Sequence, residues 1–334
     1  MIKHQLGDAR SLTLALLPGI LFCLVVVFAA HHISEHYGSP LILTTVLLGM
    51  AFNNIIKHPD FKPGLDYTAT TILRVGVALL GIRITFEQIG SLGTLPLLLV
   101  MAAVAGTLLF SLSVGKLLKV DTPMSLLAGI AVAICGVSAA MALLAILPAR
   151  RLATSQVACT LMGVTCISTL AMILYPALIT KLGMPADAMG LFLGTTIHDV
   201  AQAIGAGEMI SPAVAEAAIY TKMLRVSLLV PVLMLVSFVI NKDSASGTSL
   251  LQRCPLFLLA FVVILLANNL FTLPPTLTSG MGSLSQFCLL MAMAALGTRT
   301  NLLDLLTIDK KPLTLVLLNT LFIAALSFLI ITQS

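Results

Sequence analysis

Gly194-Thr195-Thr196-Ile197-His198-Asp199-Val200-Ala201-Gln202-Ala203-Ile204-Gly205-Ala206-Gly207 sets a histidine, an aspartate and a glutamine among small and apolar residues. Read as one helix at about 100° per residue, Thr195, His198, Asp199, Gln202 and Ala206 share an arc of about 100°. Ile197, Val200, Ala201 and Ile204 fill the rest of the circumference. One face of such a helix is wet or paired, and the other packs. Gly190, Gly194, Gly205 and Gly207 give it a smooth, breakable backbone.

The surroundings of that stretch decide the class. The 334 residues are 59% hydrophobic and only 9% charged, with a mean hydropathy of +1.09, whereas an ordinary soluble domain has about a quarter of its residues charged. The chain is expected to be an integral, all-α membrane protein. A net charge of +5 does not indicate a nucleic-acid partner, because the 18 Lys and Arg stand singly between apolar runs. The six cysteines lie within those runs and form no CxxC pair, which argues against a disulfide framework and a thiolate metal site. The apolar stretch from Ser11 to Ala30 is long enough to span and too long for a signal peptide's core.

Runs of spanning length number eleven: roughly 12–30, 40–56, 68–90, 95–118, 124–148, 153–180, 188–207, 213–240, 254–273, 283–298 and 312–332. With the N-terminus cytoplasmic, twelve Lys and Arg fall inside and three fall outside (Arg83, Arg150 and Arg151), while Arg74, Lys222 and Arg225 lie within spans. The expected location is the bacterial inner membrane, N-terminus cytoplasmic and C-terminus periplasmic. The outer Arg150-Arg151 pair is an exception to the bias. The longest polar linker is Asn241 to Arg253, so no soluble domain is expected.

The chain also repeats itself. Leu47-Leu48-Gly49-Met50-Ala51-Phe52-Asn53-Asn54 reads against Phe192-Leu193-Gly194-Thr195-Thr196-Ile197-His198-Asp199, and Thr70-Thr71-Ile72-Leu73-Arg74-Val75 against Thr221-Lys222-Met223-Leu224-Arg225-Val226. Five spans separate the members of each pair, and an odd number of crossings inverts the second copy. This predicts a lone helix (12–30) followed by two inverted five-helix repeats, 40–181 and 188–332, in one transmembrane unit. A rival match of Ala78–Arg83 with Ala294–Arg299 implies another register. On the preferred register span 5, with Cys135-Gly136-Val137-Ser138, pairs with span 10, with Gly280, Gly282 and Gly297. Both are expected to be discontinuous helices that cross near the midplane, where freed N–H groups attract an anion.

With Ile134-Cys135-Gly136-Val137-Ser138-Ala139, Gly194-Thr195-Thr196-Ile197-His198-Asp199-Val200-Ala201-Gln202, Lys222-Met223-Leu224-Arg225-Val226, Leu73-Arg74-Val75-Gly76 and Ala292-Met293-Ala294-Ala295-Leu296-Gly297, the chain resembles the bacterial YeiH-like sulfate exporter family. The match runs from about span 2 to the end and departs from the family pattern after Ser138. The resemblance implies a fold of the sodium/proton antiporter and bile-acid symporter group, with a panel domain and a core domain holding two crossed helices. It also implies an inner-membrane anion carrier.

An ionised Asp at mid-membrane costs about 2.5–3.5 kcal/mol on insertion scales, so Asp199 is expected to face a cavity or a partner. His198 beside it titrates nearest neutrality, and the two are the candidate proton- or ion-coupling pair. Asn53 and Asn54 take the equivalent places in the first copy and do not titrate. Lys222 and Arg225, at i and i+3, share a helix face that suits either Asp199 or an oxyanion. Candidate substrate-binding residues are Cys135, Gly136, Ser138, Thr195, Gln202, Lys222, Arg225, Arg74 and Asn53. His31, Glu35, His32 and His36 share one external loop without a second ligand cluster, so neither a metal nor a cofactor is expected.

The expected function is secondary transport of a small, sulfur-containing oxyanion, coupled to protons or sodium. The expected partners are that anion, the coupling ion and the bilayer; a homodimer is compatible with the sequence. An ion-pump subunit, or a membrane-embedded enzyme using His198 and Asp199, is the alternative. No nucleophile stands next to a base and no metal-ligand motif is present, so an enzyme is not expected.

Overall fold

The computed structural model describes residues 2–91, 93–144, 147, 152–240, 256–271, 273–300 and 310–333. Arg150, Arg151, Cys254 and the Asn241–Arg253 linker lie outside the described residues. In chain order the helices of eight or more residues are α1 (Ile2–Tyr37), α2 (Leu41–Ala51), α3 (Lys62–Arg83), α4 (Leu95–Leu117) and α5 (Thr122–Ala133). Then come α6 (Val137–Leu144), α7 (Thr154–Lys181), α8 (Ala186–Thr196), α9 (Val200–Glu208) and α10 (Pro212–Ser227). The last four are α11 (Leu229–Ile240), α12 (Leu256–Leu270), α13 (Pro275–Arg299) and α14 (Lys310–Gln333). Among the described residues no strand occurs, and seven helical stretches are long and apolar enough to cross a membrane.

Helices dominate because a chain this poor in polar residues has no solvent with which to satisfy its backbone, and the α-helix does so internally. Contacts divide the chain into two units, residues 1–83 with 260–301 and residues 84–259 with 302–334. Each of the two expected five-span copies contributes helices to both units.

In the first unit α2 and α13 meet backbone to backbone. A Cβ on Gly297 would lie 2.5 Å from the Val46 carbonyl oxygen and 2.8 Å from Gly49 Cα, so only glycine allows the approach. Ser285 Oγ donates to the Gly76 carbonyl (2.7 Å), joining α13 to α3. Farther along, Arg299 Nη2 reaches Asp66 Oδ1 at 2.6 Å. A wide π-turn at Thr68–Ile72 interrupts α3.

Two expectations require correction. Span 10 is not discontinuous: Pro275–Arg299 is one uninterrupted 25-residue helix, and Cβ atoms on Gly280 and Gly282 would meet nothing within 4 Å. These glycines do not break the rod. The second break lies instead in span 7, between Thr196 and Val200. The single polar arc drawn through Thr195–Gln202 therefore does not exist, because its members belong to two half-helices and the joint between them.

The matched segments of the repeat do share local structure. Leu41–Ala51 and Ala186–Thr196 are both 11-residue helices with proline at the N-cap, and both end two residues after the matched glycine, Gly49 or Gly194.

Candidate functional site

The second unit contains both interruptions. At the first, α5 ends at Ala133, Ile134 leaves helical geometry (φ −116°, ψ −83°), and Gly136 adopts φ +65° before α6 begins at Val137. The left-handed backbone favours glycine. The Gly136 N–H returns to the Ala131 carbonyl at 2.8 Å. At the second, Ile197 is extended (φ −69°, ψ 135°) and Asp199 is the N-cap of α9, its Oδ1 accepting from Ala201 N–H (2.9 Å) and Gln202 N–H (3.3 Å). Aspartate is among the strongest N-caps, so it starts a new helix where an apolar residue would let the old one run on.

The breaks are neighbours. A Cβ on Gly136 would lie 3.8 Å from both the carbonyl carbon and Cβ of His198. From α7, Ser168 Oγ accepts the backbone N–H of His198 (3.1 Å) and of Asp199 (3.2 Å), supplying both donors of the joint with a partner.

Two helix C-termini buried together expose carbonyls and two negative dipole ends. Both are met by α10. Arg225 donates from Nη2 to Val132 O (2.6 Å) and from Nε to Ala133 O (2.9 Å) at the end of α5. Its Nη1 donates to Gly194 O and Ile197 O, each at 3.1 Å, at the end of α8. The Lys222 ammonium also donates to the Ile197 carbonyl. Both cations are fully buried. A planar guanidinium with a fixed fork of donors suits four carbonyls on two chain segments in a way that an ammonium does not. Lys222 and Arg225 thus act on backbone, and the structure gives neither an ion pair with Asp199.

Three side chains at the second break keep a buried polar atom without a hydrogen-bond partner: Thr195 Oγ1, His198 Nδ1 and Gln202 Oε1. Such atoms are rare in folded proteins and call for a physical reason. Gln202 uses its amide nitrogen on Thr169 Oγ1 (2.8 Å), and His198 Nε2 lies 2.9 Å from Thr320 Oγ1 of α14. Farther along the same unit, Asn319 Nδ2 donates to Ser111 Oγ (2.9 Å), which itself donates to the Ser125 carbonyl (2.7 Å).

The structure thus gathers Cys135, Gly136, Thr195, His198, Asp199, Gln202, Lys222 and Arg225 around two adjoining breaks. Cys135 is buried within the first joint, and Ser138 is exposed in the first turn of α6. Asn53 and Arg74 belong to the first unit, where Asn53 opens a half-buried 3-10 turn and Arg74 is exposed on α3. Ser168, Thr169, Asn319 and Thr320 are not singled out by sequence. Hydroxyls in apolar helices usually bond their own backbone and carry no pattern; only Asn319, an amide within Leu317-Leu318-Asn319-Thr320-Leu321, stands out as a signal.

A bundle of apolar helices with buried cations on broken-helix ends defines a polytopic helical membrane protein. The family model described as conserved hypothetical protein 698 matches residues 18–316. A UPF0324 membrane protein of Chlorobaculum tepidum is 39% identical over 312 residues, covering 92% of this chain and 87% of that one. One from Rhizobium meliloti is 41% identical, covering 92% and 90%, and the UPF0324 membrane protein TauZ of Paracoccus denitrificans is 40% identical, covering 95% of both. No solved structure matches. The chain belongs to the UPF0324 membrane protein family, which accords with the YeiH-like resemblance read from its motifs.

Proposed function

We propose that the protein is a secondary transporter that moves a small oxyanion, sulfur-containing as the resemblance implies, outward across the bacterial inner membrane with coupling to protons or sodium. The observation that carries this reading is the pair of adjoining helix breaks, with their unpartnered polar atoms on Thr195, His198 and Gln202. Polar groups left open inside a membrane protein mark a place where something polar comes and goes. Arg225 and Lys222 hold the carbonyl ends of α5 and α8, so the amide ends of α6 and α9 are what remains for a ligand. Asp199 occupies the first turn of α9. The anion's place is then the start of α6, at Val137 and Ser138, where amides and a hydroxyl recognise an oxyanion without a basic side chain. Taken with the eleven spans and the inverted repeat expected from the sequence, the two helix breaks fit alternating access in such a carrier. His198 and Asp199 form the coupling site beside it.

Thermal unfolding of the purified protein, measured against sulfate, phosphate, nitrate and acetate at two pH values, tests the reading. A ligand that binds only the folded state raises the melting midpoint in a concentration-dependent way. Saturable stabilisation by one oxyanion, lost in Ser138→Leu, is expected. Equal behaviour of all four anions, or stabilisation indifferent to Ser138, contradicts the proposed place.

A further inference from the structure

The hydroxyls around the second break fix the state of two side chains. Thr320 Oγ1 lies 2.8 Å from the Val316 carbonyl, four residues back, and that carbonyl takes its single proton. The contact with His198 Nε2 at 2.9 Å must then run the other way, with Nε2–H donating to Thr320 Oγ1. A neutral ring with its proton on Nε2 has a bare lone pair on Nδ1, which is buried without a hydrogen-bond donor; the backbone group set toward the ring is the Val132 carbonyl, itself an acceptor. Thr169 repeats the arrangement: its hydroxyl donates to the Thr165 carbonyl at 2.9 Å, so Gln202 must donate its amide N–H to Thr169 and is left with an open Oε1. The joint therefore presents two buried acceptors one turn apart, and among the described residues no donor is set against either. Among the described residues no ion pair joins Asp199 to His198, and Asp199 Oδ1 accepts from two amides of α9.

Bare acceptors answer to a ligand that brings a proton; the third open atom at the break, the Thr195 hydroxyl, both donates and accepts, and of the three only Nδ1 of His198 is basic enough to keep a proton, while nitrogen is a poor ligand for a hard alkali cation, which prefers oxygen. Resting on the transporter reading above, we propose that the coupling ion is a proton, taken up and released at Nδ1 of His198, with Thr320 as the positioning residue that keeps Nδ1 free. The step is one proton transfer: hydronium gives its proton to Nδ1, water leaves, and the ring becomes an imidazolium that still donates from Nε2 to Thr320. Release on the opposite side reverses it. The charged and titratable groups around the ring are Lys222 and Arg225 from α10, Asp199 at the head of α9, Cys135 in the first break and Cys166 on α7; α14 brings only the neutral Asn319 and Thr320 to that level.

The test uses the full chain, labelled with nitrogen-15 at histidine, in lipid nanodiscs, with the His198 signals assigned by difference from His198→Gln. At high pH the ring is expected as the Nε2–H form alone. As the pH falls between about 9 and about 4, a second ring N–H is expected at Nδ1, with or without sodium chloride. Thr320→Val is expected to lose the single tautomer and Thr320→Ser to restore it. A neutral ring protonated at Nδ1, a ring that takes no second proton over that range, or an Nδ1 signal that follows sodium instead of pH overturns the assignment. If the ring behaves as described while reconstituted protein moves no anion, the transport reading fails and the proton site stands. Anion transport with a ring that never takes the second proton does the reverse: transport stands and the proton site falls.

Discussion

Replacing Arg225 separates a clamp on the backbone from a substrate ligand. Its guanidinium makes four hydrogen bonds to four carbonyls at the ends of α5 and α8, and Arg225→Met leaves those carbonyls without it. Lys222 still serves the Ile197 carbonyl, so three are stranded; at about 1 to 3 kcal/mol each the loss is about 3 to 9 kcal/mol, comparable with the whole stability of a typical domain at about 5–15 kcal/mol. Arg225→Lys keeps a cation at both dipole ends and loses the fork, so about half of the effect is expected. Lys222→Met removes one bond to a carbonyl that Arg225 also serves, for about 1–2 kcal/mol. The chain contains no Trp, but Cys23, Cys135 and Cys288 are buried thiols outside any disulfide, so a thiol-reactive dye reports unfolding. The expected order of melting midpoints is wild type, Lys222→Met, Arg225→Lys, Arg225→Met, with the last barely accumulating. An unchanged midpoint in Arg225→Met, with anion flux lost, would refute the clamp and make Arg225 a ligand.

Gly136→Ala is expected to cost about 1–2 kcal/mol from its left-handed backbone alone, since the nearest atom to the added methyl is Val164 Cγ1 at 3.5 Å. Gly297→Ala drives a methyl into the α2 backbone and is expected to cost more, about 1–3 kcal/mol or above; both are read as melting midpoints. Asp199→Asn keeps the N-cap and a near-native midpoint, whereas Asp199→Ala loses about 1 kcal/mol. Asn319→Leu trades one bond to Ser111 and an unpartnered Oδ1 for apolar packing, so a change below about 1 kcal/mol is expected, in line with interhelical bonds in membranes.

Much of this architecture is open to reading in the residues, and the rest is hidden for identifiable reasons. Composition alone declares a membrane bundle, and Cys135-Gly136 announces the first break because glycine is the residue for a left-handed turn. The second break carries no glycine or proline at the joint. Thr196–Val200 reads as helix by periodicity, and only Asp199 with Gln202 three residues later has the spacing of a helix start. Span 10 misleads for the converse reason. Its glycines suggest a breakable rod, but Gly297 serves close packing and Gly280 and Gly282 lie on an open face. Lys222 and Arg225 are legible as buried cations. That their partners are backbone carbonyls is not, because a carbonyl has no letter in the sequence.

The central claim is that this chain carries a small anion through a site at the two adjoining breaks. Counterflow measures it most directly: proteoliposomes loaded with unlabelled sulfate, diluted into trace radiolabelled sulfate, with wild type beside His198→Gln and Ser138→Leu. The account predicts transient, saturable accumulation of label in wild type and its loss in both variants, while all three proteins keep the same melting midpoint. Accumulation that survives both substitutions, or folded wild-type protein that exchanges neither sulfate nor any other small oxyanion, would contradict it.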